Sequence, residues 1–141
     1  MSEAYGEQFI KLDEKGRIIL PSKARPAMAD GVYLTRGQSQ CIYLFSKPQF
    51  EAHRQYNREH APAGMPAIAF DRIFYSSVVN QDMDKQGRIT VPPAQRQNAG
   101  LERDLAVIGL EERIEIWDAA AWRAYLDQYT AQYAALVEGV R

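Results

Sequence analysis

The chain of 141 residues carries one cysteine, Cys41, and two histidines, His53 and His60. A lone cysteine cannot close an internal disulfide, which fits a reducing compartment. There is no Cys-x-x-Cys, no His-Glu-x-x-His and no other donor spacing, so the sequence offers a metal no recognisable site. Gly-x-x-x-x-Gly-Lys-Ser/Thr and Gly-x-Gly-x-x-Gly are absent as well, leaving phosphate-cradling folds without support. No apolar run approaches the roughly 18 residues that cross a bilayer. The start, Met1-Ser2-Glu3-Ala4-Tyr5, lacks both the basic and the apolar stretch of a secretory signal. Charge of one sign is missing too. Seventeen Lys and Arg against eighteen Asp and Glu give a net −1, which excludes a uniformly basic nucleic-acid coat. The expectation is a cytoplasmic protein with no membrane segment, no metal and no cofactor.

What is present is the balance of a folded domain, 46% hydrophobic and 25% charged. The dominant feature is an internal repeat. Leu12-Asp13-Glu14-Lys15-Gly16-Arg17-Ile18-Ile19-Leu20-Pro21 returns 71 residues later as Met83-Asp84-Lys85-Gln86-Gly87-Arg88-Ile89-Thr90-Val91-Pro92, and Arg25 returns as Arg96. With one further residue of offset, Gly37, Ile42, Phe45, Phe50 and Ala52 match Gly109, Ile114, Trp117, Trp122 and Ala124. Each half spans roughly 50–60 residues, a size that buries only about 60% of its unfolded surface. Two copies sharing one core, as a pseudo-two-fold unit, remove that weakness.

Local chemistry sets the elements. Phe9–Leu12 predicts a strand, and Asp13-Glu14-Lys15-Gly16 a type I turn closed by a left-handed glycine. Arg17–Leu20 comes next as the return strand of a hairpin, stopped by Pro21. Ser22–Met28 is helix-compatible, although Pro26 permits little more than a first turn. Val32–Thr35 and Cys41–Phe45 are two more strands, after which Ser46 caps a helix starting near Pro48. The second half repeats the order as Val78–Met83, Arg88–Val91, Pro93–Asn98, Leu105–Leu110 and Arg113–Trp117. Asp118 then caps a long helix from Ala119 to about Val137, ending before Gly139. Trp122, Leu126, Tyr129, Tyr133 and Val137 fall on one face of that helix. Residues 60–66 read as a linker, and Phe70, Ile73 and Phe74 as a short amphipathic helix. The fold class is α+β, mainly β with short helices and a C-terminal helix. Its segments are 7–53 and 78–125 for the two copies, 54–77 for linker and short helix, and 126–141 for the remaining helix and tail.

A doubled Asp-x-x-Gly-Arg-x-x-x-Pro, each copy followed by two strands and a Phe- or Trp-bearing helix, resembles the MraZ family over nearly the whole chain. Ser2-Glu3-Ala4 departs from the bulkier apolar start common in that family. The resemblance implies tandem SpoVT-AbrB-type, swapped-hairpin half-domains. It implies a transcriptional regulator, in the repressor sense, that binds direct repeats in the promoter of the bacterial division and cell-wall gene cluster. Ring-like homo-oligomers associated with the nucleoid come with the same resemblance, and double-stranded DNA as partner.

The residues themselves show a charge asymmetry that the total hides. Residues 11–36 hold six basic against three acidic side chains, a net +3, whereas residues 111–141 hold three against six, a net −3. Phosphate binding needs a local positive surface rather than a positive average. Salt dependence scales with phosphates neutralised, at about −0.9 per contact, so one protomer binds weakly and specific affinity needs several copies on one duplex. Arg17 and Arg88, each just past a tight turn, are the leading candidates for DNA contact, with bidentate reading of guanine as the chemistry. The other role open to them is to clamp the turn by pairing with Asp13 and Asp84. Lys15 is a candidate phosphate contact. Its equivalent is Gln86, with Lys85 one residue earlier, so the copies contribute unequally. Lys11, Lys23, Arg25 and Arg96 are further candidates. Arg25 and Arg96, matched across the copies, also fit structural pairs with neighbouring carboxylates.

Other chemistry finds little here. A dyad of Cys41 with His53 or His60 competes with a buried strand cysteine and surface histidines, and the latter is the expectation. Asp82 and Asp84 lie two apart, yet Asp84 is the turn residue, and no catalysis is assigned. Trp117, Trp122, Tyr125, Tyr129 and Tyr133 suggest base stacking, but helical spacing and acidic neighbours favour packing, within or between protomers. Two function classes remain: an oligomeric DNA-binding regulator, and a self-assembling scaffold or adaptor without DNA. An antitoxin-like AbrB relative fits the fold but not the doubled chain.

Overall fold

The two Asp-x-x-Gly-Arg turns form as their chemistry dictates. Gly16 and Gly87 adopt φ of 76° and 79°, and each donates its N–H back to the Asp carbonyl three residues earlier, at 3.0 Å. The computed structural model describes residues 5–139, so the Ser2-Glu3-Ala4 start lies outside the described residues.

Neither turn closes a simple hairpin. The strand before the first turn, β1 (Gly6–Lys11), and the strand after it, β2 (Arg17–Ile19), do not pair with each other. The Asp13 N–H to Arg17 carbonyl bond, 2.9 Å, spans the turn beside the Gly16 N–H bond to the Asp13 carbonyl. β3 (Val32–Arg36) and β4 (Ile42–Phe45) complete the first set of strands; β5 (Val79–Gln81), β6 (Arg88–Thr90), β7 (Asp104–Gly109) and β8 (Ile114–Asp118) form the second. β1 pairs with β7 and β2 with β6, each antiparallel, so both strands flanking the first turn find partners in the other half. The expected return strand is thus exchanged. The physical reason is burial: Ile18 and Ile89, opposite one another, are both buried, and each completes the other's apolar layer.

Between these strands, Pro21 and Pro26 break the helix-compatible stretch into two 3-10 turns, Ser22–Ala24 and Pro26–Met28. The helices are α1 (Lys47–Glu59), α2 (Ala67–Ser76), α3 (Pro93–Asn98) and α4 (Ala119–Glu138). Ser46 and Gln49 form a reciprocal capping box on α1, and Asp118 accepts from the Ala121 N–H to cap α4.

Three layers result. The six-stranded sheet, in order β1-β7-β8-β4-β3-β5, is the middle one. Its alternate residues face two separate cores. On one side Leu34, Leu44, Leu105, Val107 and Ile116 meet Ile18, Leu20, Ile89 and Val91 from beneath the β2–β6 ribbon. On the other, Tyr43, Phe45, Ala106 and Trp117 meet Phe50 and Phe74 from α1 and α2. A pseudo-two-fold axis runs through this stack. At β4–β8, Ile42 faces Ile116 and Leu44 faces Ile114, while at β2–β6 the repeat-equivalent Ile18 and Ile89 face one another. Glu115, the buried carboxylate in the aromatic layer, accepts from Arg113 Nε and Trp117 Nε1, both at 2.9 Å, so its charge is compensated.

The long helix meets its own chain only near its start. Trp122 packs on Trp117, with ring centroids 5.2 Å apart, but from Arg123 to Leu136 every α4 residue is exposed. Tyr133 and Leu136 are 69% and 68% exposed. The predicted apolar face therefore packs on its own protomer for little more than the first turn. Among the described residues no helix is long and apolar enough to cross a membrane.

Because β1 and β2 take their partners from the second half, residues 1–72 alone are expected to show no cooperative thermal transition as a monomer. Circular dichroism melts combined with sedimentation velocity test this. A cooperatively melting monomer of that fragment would contradict the shared core.

Candidate nucleic-acid interface

The exposed surface of the β2–β6 ribbon is built from very few atoms. Ile18 and Ile89 point inward, so Arg17, Ile19, Arg88 and Thr90 point outward. Arg17 lies opposite Thr90, and Ile19 opposite Arg88. The two arginines are diagonal neighbours, roughly 7–8 Å apart at Cα. The turns stand at the two ends of this short ribbon. Each is tied to the opposite half by a backbone bond: Val91 N–H to the Gly16 carbonyl at 2.8 Å, and Leu20 N–H to the Gly87 carbonyl at 2.9 Å.

One carboxylate organises each turn. Asp13 accepts from the Lys15 N–H at 2.9 Å, the Arg17 N–H at 2.8 Å and Arg17 Nε at 2.8 Å. Asp84 repeats the pattern with the Gln86 N–H, the Arg88 N–H and Arg88 Nε at 2.9, 2.8 and 2.8 Å. Both carboxyl groups are held below the ordinary value of 3.8, first by the backbone N–H of the following arginine. The pairs the sequence left open are real clamps. They engage the guanidinium through Nε, however, and among the described residues no acceptor takes the two terminal nitrogens of either arginine. Clamping and contact with a ligand are compatible: the carboxylate fixes the fork, and the fork's outer edge stays free.

Arg25 and Arg96 take a role that their sequence context does not suggest. Among the described residues neither pairs with a carboxylate. Arg25 Nε donates to the Leu20 carbonyl at 3.1 Å, and its guanidinium lies against Gly87; Arg96 lies against Gly16. A methyl group added at Gly16 would sit 2.6 Å from Arg96 Nη1, and one at Gly87 would fall closer still to Arg25 Nε. Each glycine is needed twice, for its positive φ and for the arginine of the other half. The clue in the sequence was the Arg25–Arg96 match at the same 71-residue spacing as the turns.

Six cations thus ring the ribbon: Lys15, Arg17 and Arg25 from one half, and Lys85, Arg88 and Arg96 from the other. Lys15 and Lys85 are exposed at the turn tips. Lys11 lies elsewhere, on β1, in an exposed ion pair with Asp104 at 3.0 Å. Lys23 is exposed on the first 3-10 turn. Gln81 is a residue that sequence reasoning missed. Its side-chain amide donates to the Thr90 carbonyl at 2.7 Å and accepts the Thr90 N–H at 2.8 Å, closing the outer edge of β6. The repeat places Ile10 at the equivalent position in the first half, and an isoleucine cannot make those bonds.

The remaining candidates have other surroundings. Cys41 is buried and donates to the Gln38 carbonyl at 3.1 Å, and burial pushes its thiol well above the usual range. His60 is exposed, but His53 is not the surface residue expected. It is half-buried beside Phe45, Phe74 and Tyr43, with ring centroids 4.8, 5.5 and 5.8 Å away, and burial lowers its pKa. Among the described residues no group of three or more His, Cys, Asp or Glu side chains is placed to hold a metal. Asp82 lies past the end of β5 and shares no strand with Asp84.

The fold and site define a class: a tandem-repeat α+β protein whose halves exchange strands to build one arginine-bearing ribbon. Comparison with known proteins makes the class specific. The family model described as an antitoxin-like MraZ protein matches residues 4–69 and 74–137, so the chain belongs to the MraZ family. It is 51% identical over 129 residues to a protein named transcriptional regulator MraZ from Paenarthrobacter aurescens, covering 92% of this chain and 90% of the relative. Proteins of the same name from Leifsonia xyli and Salinispora tropica are 48% and 43% identical, covering 92% and 96% of this chain and 91% and 95% of theirs.

The turns can be tested by substitution and by acid. Gly87→Ala is expected to cost about 1–2 kcal/mol for the left-handed backbone, plus the displacement of Arg25. In an Arg25→Ala background the second part should vanish, as a double-mutant cycle of thermal melts would record. In acid, the carboxylates decide the outcome. Folding favours the ionised form of Asp13 and Asp84, so their contribution is complete above the unfolded value of 3.8 and is lost as pH falls through the lower folded value. Asp13→Asn combined with Asp84→Asn should flatten the acid limb of stability between about pH 2 and pH 5 in denaturant titrations.

Proposed function

We propose that this chain is a sequence-specific DNA-binding transcriptional regulator. It reads base edges with Arg17 and Arg88 and phosphates with Lys15, Lys85, Arg25 and, more remotely, Lys11. The observation that carries the reading is the Nε-only clamp on each arginine, which leaves a pre-aligned pair of N–H donors on an exposed two-stranded ribbon. A β-ribbon fits the major groove, and a guanidinium edge matches guanine O6 and N7. Successive ribbon residues rise about 3.4 Å. The Arg17 and Arg88 levels are therefore about 7 Å apart, close to two base-pair steps.

The naming of the relatives as transcriptional regulators supports the same reading. The segments 7–53 and 78–125 act as the two half-domains of one reading head. The finer role is the one the family resemblance implies: repression from direct repeats in the promoter of the division and cell-wall gene cluster, by a ring-like homo-oligomer on the nucleoid in the cytoplasm. The exposed stripe of Tyr129, Tyr133 and Leu136 on α4 supports self-association. Several heads on one duplex multiply the modest grip of each.

Arg17→Ala is expected to abolish binding to the region upstream of the protein's own reading frame, with melting temperature and oligomer size within error of the parent. Arg17→Lys keeps the charge but not the fork and should lose sequence discrimination while retaining salt-sensitive binding. Fluorescence anisotropy at two salt concentrations with analytical ultracentrifugation checks both. Unchanged binding by Arg17→Ala, or a collapsed oligomer, would defeat the assignment.

A further inference from the structure

We infer that Ile19 is a specificity-determining residue that packs on the 5-methyl group of a thymine beside the base pair read by Arg88; the inference rests on the DNA-binding reading. The ribbon's outer face has two levels, and each pairs one arginine with one methyl-bearing side chain: Arg17 with Thr90, and Arg88 with Ile19. Ile19 is 52% exposed in a setting otherwise made of cations and a hydroxyl. The second half carries threonine at the equivalent position, so the fold accepts a polar residue there. Residues directly opposite on a ladder have Cβ atoms about 5 Å apart. An isoleucine therefore travels with the Arg88 fork into whatever surface that fork meets.

In the major groove the apolar feature within such reach is the thymine C5-methyl. Charge argues for the same occupant. A protein surface docking on Ile19 would also have to cover Arg88 and the neighbouring Arg17, which Asp84 and Asp13 compensate only in part, through Nε alone. A polyanion with apolar spots set among its acceptors matches both features, and duplex DNA is that surface. The two levels are unequal. Thr90 is fixed through its backbone by Gln81 and presents one methyl and a hydroxyl, whereas Ile19 presents a larger apolar surface. The chain's pseudo-two-fold head would accordingly read a site whose two halves differ, with the methyl requirement strongest on the Arg88 side.

The test uses the full-length protein and two probes amplified from the region immediately upstream of its own reading frame, one with dTTP and one with dUTP. Uracil differs from thymine only in lacking the methyl. The parent is expected to bind the thymine probe at least about fourfold more tightly, the value of roughly one buried methyl per contact, and more where several heads bind. Ile19→Thr should weaken binding to the thymine probe and lower the thymine-to-uracil ratio by about that factor, while Ile19→Val keeps most of it. Dividing the ratios cancels methyl contacts made by other residues. Equal binding of both probes by the parent, an unchanged ratio in Ile19→Thr, or a changed oligomer size in that variant would overturn the assignment to Ile19 while leaving DNA binding in place. Failure of the parent to bind either probe would overturn both.

Discussion

The fold depends on an exchange across the ribbon in which the arginine of one half lies over the glycine of the other half's turn. Gly16 lacks a side chain where Arg96 needs space, and Gly87 where Arg25 does. The same turns give their glycine carbonyls to Val91 and Leu20 of the opposite strands. Steric fit, hydrogen bonding and the buried Ile18–Ile89 pair therefore all join the halves at one place. A single half could form its turn, because the Asp13 bonds are local. It could not bury Ile18, nor give β1 and β2 partners. This is why duplication within one chain matters energetically: the partner arrives at an effective concentration set by a linker rather than by dilution.

Near-symmetry is also what makes the differences informative. The repeat fixes Asp, Gly, Arg and the inward isoleucine in both copies, since each is constrained by the turn or by the shared core. Where the constraint relaxes, the copies diverge: Lys15 against Gln86, Ile19 against Thr90, Ile10 against Gln81. Lys15, Gln86, Ile19 and Thr90 lie on the ribbon's exposed side, and Gln81 closes its edge where Ile10 packs on the core instead. β1 pairs along six residues with β7, whereas β5 pairs along only three with β3, so the two edges of the sheet differ as well. A symmetrical scaffold with unequal outward residues presents two related but non-identical outer edges.

Much of this was legible in the sequence. The duplication, the two turns, the capping of α1 and α4 and the position of α2 rest on local rules, namely glycine at positive φ, Ser and Asp at N-caps, and proline ending strands. α3 spans Pro93–Asn98 as expected. What local rules could not reveal is which strand pairs with which. A hairpin and an exchanged hairpin share the same turn residues, and only the burial of Ile18 against Ile89 decides between them. The same limit hid the role of Arg25 and Arg96, whose spacing was visible but whose contacts cross from one half to the other. It also hid the half-burial of His53, which is covered by Phe74 from an element 21 residues away. The placement of Asp13, Gly16, Arg17 and their repeats could be read because it is tied to the turn, whereas the positions of Gln81 and Ile19 on the ribbon depend on the ladder.

In the proposed DNA-binding role, the Asp–Arg clamp explains why arginine rather than lysine stands after each turn. A free arginine loses up to about 2 kcal/mol of rotamer freedom on being fixed, a cost comparable to the roughly 1–3 kcal/mol of discrimination from one good bidentate base contact. Without prior fixation the gain would be largely cancelled. The Nε bond to Asp13 or Asp84, together with the backbone bonds on the same carboxylate, imposes that order during folding, before any ligand arrives. A lysine paired with the aspartate keeps two N–H donors but has no planar edge that holds them in a fixed direction. The clamp does weaken the long-range field, since each guanidinium is half-compensated by its partner, which shifts nonspecific attraction onto the unclamped Lys15 and Lys85 at the turn tips. Orientation and attraction are thereby divided between different side chains, and in the proposed DNA-binding role the clamped pair carries the selectivity.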